Sequence, residues 1–131
     1  MRKSLLLTAV IFSLFSFKGE KKAYVLSNAE GKETSYSKLL EAAKDADVIL
    51  FGELHDNPIV HWLQQELTKD LYADKKERLL LGAEMFEADD QIVLDEYLSG
   101  LITEKTFKEE AKLWTNYPSD YKPLLDFAKK N

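Results

Sequence analysis

The chain holds two histidines, and both fall in the stretch VILFGELHDNPIVHW, Val48 to Trp62. His55 closes Gly52-Glu53-Leu54, and His61 stands just past Pro58. The pattern of an apolar run, then Gly or Ala, then Glu recurs in LLLGAEMFE, which carries Glu84 and Glu87. Imidazole and carboxylate without thiolate suit a borderline or hard metal ion, or a carboxylate pair working as acid and base. The five glycines are scattered, so no phosphate-cradling loop is present. GELH lacks the second histidine that a zincin helix places four residues on. No serine sits in a nucleophile elbow. The chain has no cysteine, which removes disulfides, thiolate metal sites and anchoring through a lipidated cysteine.

These residues need elements to position them. AYVLSNAEGKETSY reads as a hairpin, with Asn28-Ala29-Glu30-Gly31 as its turn. SYSKLLEAAKDA reads as a helix capped by Thr34 or Ser35. Val48–Phe51 and Leu79–Ala83 are continuous apolar runs of strand-forming residues, as buried strands are. Asn57 suits a cap and Pro58 the first position of a helix running to about Tyr72. A further helix spans Ala88 to Ser99 and stops at Gly100. Thr103 caps another, with Phe107, Ala111 and Trp114 at helical spacing. Asp120 caps a last one, with Pro123 in its first turn.

Strand, helix, strand and helices make an α/β pattern with a small parallel sheet. Two parallel strands joined by one crossover helix end at the same sheet edge, where open α/β folds bind their ligands. Glu53 and Glu84 would then share a rim, with His55 and Glu87 just beyond it. On its helix, His61 lies away from the stripe of Ile59, Val60, Leu63, Leu67 and Leu71, and shares a face with Gln64, Thr68 and Tyr72. It is not a plain core position, and a solvated one is the ordinary outcome. Taken singly, each residue has an ordinary role as a loop histidine or a strand-end carboxylate. Their convergence on one rim is what argues for a site.

The 131 residues suggest one domain. Residues 1–22 differ from the rest: a basic start is followed by the apolar run Ser4 to Phe17, the layout of a signal peptide or N-terminal anchor. An exported protein of the periplasm or cell envelope is the expectation. The formal net charge is −5, and the chain is more acidic beyond Lys22, which argues against nucleic acid as a partner.

VILFGELHDNPIVHWLQQEL, LLLGAEMFEADDQIVLDEYLSG and LWTNYPSDYKPLLDFAKKN together resemble the ChaN-type haem-binding uptake family. That family shares a superfamily with Tiki and erythromycin-esterase proteins. The resemblance implies a three-layer α/β/α fold and an envelope protein that binds haem in iron acquisition. It also implies a homodimer and outer-membrane iron-uptake components as partners. The motif positions match Glu53, His55 and Glu84, with His61 and Glu87 matching less closely. In the superfamily's enzymes such residues carry metal-dependent or acid–base hydrolysis, so a hydrolase using Glu53, His55 and Glu84, with a divalent metal or without, is the alternative function. Haem needs an axial ligand. His55, His61, Tyr97, Tyr117 and Tyr121 are candidates, Tyr117 being the freest because it lies in a turn. Family members are longer, so residues 23–131 are expected to be the N-terminal part of the domain, with an unpartnered strand edge. A non-functional fragment is the third alternative.

Overall fold

A computed structural model describes residues 21–131. The expected signal segment, Ser4 to Phe17, lies outside the described residues. The hairpin forms as β1 (Leu26–Ser27) and β2 (Glu33–Thr34), an antiparallel pair with Leu26 opposite Thr34. Asn28 builds the turn, its side-chain oxygen accepting from the backbone N–H groups of Glu30 and Lys32. Gly31 takes a φ of 74°, a region costly for a residue with a Cβ.

Helix α1 (Tyr36–Asp45) is capped by Ser35, which accepts from the Lys38 N–H. Helix α2 (Pro58–Lys75) is capped by Asn57, which accepts from Ile59 and Val60, with Pro58 where its missing N–H costs nothing. Leu67 and Leu71 of α2 bury against Ala43 of α1, with Phe51 and Leu79 packed on them.

The second core forms from the C-terminal half. Helix α3 (Gln91–Leu98) ends in paired bonds from Leu101 N–H to Glu96 and from Gly100 N–H to Tyr97, with Gly100 at φ 76°. This is the Schellman closure expected at Gly100. Helix α4 (Glu104–Glu110) is capped by Thr103. It stops at Ala111 and does not run on to Trp114 as the spacing predicts. The buried carboxylate of Asp90, from outside the helix, takes the Lys112 N–H at 3.2 Å in place of a helical carbonyl. A π-helical turn (Tyr117–Tyr121) leads into helix α5 (Lys122–Lys130). Asn116 therefore precedes the π-helical turn, and Asp120 lies within that turn, while Tyr121 and not Asp120 stands at the cap position of α5. Met85, Tyr97, Phe107, Tyr117, Tyr121 and Leu125 make this core.

The two expected central strands are the main departure. Val48–Phe51 and Leu79–Ala83 carry no strand pairing, and among the described residues the only sheet is β1–β2. The fold is therefore mixed, largely helical with a small antiparallel hairpin. The physical reason is lack of cover. A fully buried strand needs a partner at its edges and packing on both faces. Here α1 and α2 cover one side only. Val48 is 76% exposed, Leu50 92% and Leu80 93%. Both segments line one open groove of about 670 Å³, with Leu67 and Leu71 at its floor.

Candidate functional site

The loop after Phe51 carries Glu53 and His55 to the start of α2. Asn57 and Pro58 fix where that helix begins, so His61 falls in its first turn, facing back over the loop. From the far end of the chain, the π-helical turn brings Tyr121 and Asn116 onto the same spot.

Glu53 is the hub. Its side chain is 13% exposed. Oε1 accepts from His55 Nδ1 at 3.0 Å and from the Tyr121 hydroxyl. Oε2 accepts from Gln64 Nε2 at 2.6 Å and lies 3.7 Å from His61 Nδ1. Burial pushes the carboxyl up, but the bonds from Tyr121, His55 and Gln64 and the charge of His61 outweigh it, leaving Glu53 below its ordinary value. Glu53 is thus held ionised. For Tyr121 the signs reverse: burial, the bond to Glu53 and its charge all raise the phenol far above its ordinary range, and Glu84 adds to this.

His61 is buried, at 6% exposed, not solvated as its place on the helix predicts. Its face is off the apolar stripe, but Tyr121 covers it with ring centroids 4.7 Å apart and edge to face. Nδ1 lies 3.1 Å from Gln64 Oε1, and Nε2 lies 3.1 Å from the His55 carbonyl oxygen. Asn116 Nδ2 donates to the same carbonyl.

His55 behaves differently. Its side chain is half exposed, Nδ1 is bound to Glu53, and Nε2 has no hydrogen-bond partner among the described residues. Trp114 stands edge-on beside it at 4.6 Å, and Leu54 is 66% exposed. Trp114 also packs on the C-terminal core, the role its spacing with Phe107 suggests.

The structure therefore joins Glu53, His55 and His61 in one cluster. Glu84 and Glu87 are exposed; Glu84 reaches the cluster through its charge on Tyr121, and Glu87 lies 3.9 Å from Lys112. Tyr117 is 1% exposed and inside the core, not free in the turn as expected. Gln64 and Asn116 are the residues that sequence reasoning missed as partners. Gln64 was signalled by its place three residues after His61; nothing local signals Asn116. Among the described residues no group of three His, Asp or Glu side chains is arranged to hold a metal ion.

A family model described as haem-binding uptake, Tiki superfamily, ChaN matches residues 39–131. The chain belongs to this family. No curated protein and no solved structure matches the chain. The matched span takes in the loop with Glu53 and His55, helix α2 with His61 and Gln64, and the Tyr121 turn, so the site is built from residues that the haem-binding uptake family model covers.

Proposed function

We propose that this chain binds haem at the Glu53–His55 rim and serves in haem or iron acquisition. The observation that carries the reading is the His55 imidazole: anchored at Nδ1, without a partner at Nε2, half exposed and flanked by Trp114 and Leu54. An imidazole nitrogen with no other partner is one of the axial ligands that haem iron takes. The donor set thus fits an iron porphyrin, whose bound iron would supply the redox and ligand-exchange chemistry. Tyr117 would have to leave the core to serve as the ligand. Titrating hemin into the refolded chain should shift the Soret band at one equivalent. His55→Ala should abolish the shift and His61→Ala should not. A Soret band unchanged from free hemin would end this reading.

The same bond between Glu53 and His55 also has the form of a carboxylate-oriented general base. That favours, as the second reading, a hydrolase with Glu53, His55 and Glu84 in its site, with or without a divalent metal. Esterase or peptidase turnover lost in His55→Ala, in a chain that takes no hemin, would establish it.

Three further parts of the proposal come from the sequence. The chain is exported to the periplasm or envelope under residues 1–22. It works with outer-membrane uptake components and as a homodimer. Val48–Phe51 and Leu79–Ala83 pair as strands of a parallel sheet in a three-layer fold only where a further layer covers them; the exposure of Val48, Leu50 and Leu80 in the unpaired segments supports this, because such side chains call for a covering layer.

A further inference from the structure

Tyr24 and Trp62 come from distant parts of the chain and meet with ring centroids 5.8 Å apart. Both stay open to solvent: Tyr24 is 36% exposed, Trp62 45% and Val25, next to Tyr24, 56%. Pro58 stands four residues before Trp62 on α2, so it lies on the same face, and it is exposed too. One turn beyond Trp62, the Glu66 carboxylate is paired with Lys69 at 2.9 Å. Phenol and indole rings carry an apolar body and a polar tip, and such side chains settle at the boundary between acyl chains and water.

The place where the chain enters this face says what covers it. The described residues begin at Lys21, just ahead of Tyr24. In the sequence the uncharged run Ser4 to Phe17 comes immediately before, with Lys18, Lys21 and Lys22 in between. Lys21 is exposed, and Lys22 is paired with Glu33 of β2. From Phe17 to Tyr24 the chain can span at most about 25 Å. A bilayer that holds the run is therefore within reach of the face. Lysines in the link suit the same place, because their stems lie along apolar surface while their charged heads stay in water. The run is shorter than the about 20 apolar residues that cross a bilayer. A weak anchor becomes a stable one through a second contact with the same bilayer, as it does in lipid-modified chains. The net charge of −5 opposes attraction to anionic headgroups, so apolar contact has to carry the docking.

We propose that Tyr24, Val25 and Trp62 form a membrane-docking face, which lies in the interface of the bilayer that holds the run Ser4 to Phe17. The inference takes residues 1–22 as an anchor and is independent of the haem reading.

The full chain in phosphatidylcholine vesicles tests this, with Trp114→Phe leaving Trp62 as the only indole. Acyl chains brominated near the headgroup should quench Trp62, and its emission should move to the blue. Val25→Asp puts a charge on the face at an open position. It should lower vesicle affinity about tenfold, the share of one valine kept out of lipid, and free Trp62 from the quencher. Ile92→Asp changes another exposed apolar position, on α3, and should do neither. A chain that sediments with the vesicles while Trp62 stays beyond the bromolipid overturns the proposal. A chain that stays off the vesicles overturns it too, and ends the anchor reading with it. Equal losses in Val25→Asp and Ile92→Asp would mean adhesion without a preferred face. Trp62 shielded in proportion to protein and not to lipid would mean that a second copy covers it. Either result refutes the docking face. If Val25→Asp alters the circular dichroism, Tyr24→Ser replaces it and is read against the same outcomes.

Discussion

Tyr121 donates its phenolic O–H to Oε1 of Glu53, joining residues 68 positions apart in the chain. The bond ties the π-helical turn to the loop that carries His55, and it lays the Tyr121 ring over His61. A buried bond to an ionised acceptor contributes more than a neutral one. Tyr121→Phe keeps the ring and removes the donor. It should cost about 1–2 kcal/mol, read as a lower urea midpoint. A variant as stable as the parent would show that the bond contributes nothing to folding.

The same carboxylate gives the fold an acid limit. Glu53 sits below its ordinary value of 4.5 in the folded chain, so the unfolded chain binds that proton more readily. Its contribution to stability is therefore complete above 4.5 and is lost as the pH falls through the depressed folded value. Urea midpoints measured down to about pH 3 should fall more steeply for the parent than for Glu53→Gln. Parallel curves would show that Glu53 has no such share.

Tyr117 presents the opposite case. Its hydroxyl is buried with no hydrogen-bond partner among the described residues, and burial pushes the phenol up to about 12. A buried polar group without a partner costs free energy that its removal returns. Tyr117→Phe should stabilise the chain by about 1 kcal/mol and leave hemin binding unchanged. A loss of the Soret shift in this variant would bring Tyr117 back as the ligand.

What could be read from the sequence was local. Asn57-Pro58, Thr103 and Gly100 act within one turn of themselves, and each does what its chemistry dictates. His61 was misplaced because its cover, Tyr121, comes from the far end of the chain, and helical periodicity knows nothing of a second element. The end of α4 was missed for the same reason: Asp90 takes the Lys112 N–H from outside the helix. Glu53 and His55 were legible as a pair because two positions in one loop suffice to bring them together. The orientation of the pair needed Gln64, Tyr121 and Asn116. The apolar runs Val48–Phe51 and Leu79–Ala83 were legible as strand material, but composition cannot show whether a partner lies alongside.

Those runs give the last prediction. In a paired sheet, Leu50 and Leu80 would be core residues, and trimming a core leucine costs about 2–5 kcal/mol. Here they are 92% and 93% exposed, while Leu67 on the floor of the same groove is 5% exposed. Leu50→Ser and Leu80→Ser should therefore change the stability of the 131-residue chain by less than about 0.5 kcal/mol. Leu67→Ala should destabilise it by several times as much. The serine variants should also self-associate less than the parent in sedimentation, because an exposed apolar patch next to unpaired backbone is a site for aggregation. Hydrogen exchange supplies the check on the backbone. The amides of Val48–Phe51 and Leu80–Gly82 should exchange fast, and those around Leu67 and Leu71 slowly. A Leu50→Ser that costs as much as Leu67→Ala, or slow exchange along both runs, would mean that the two segments are paired and covered in solution.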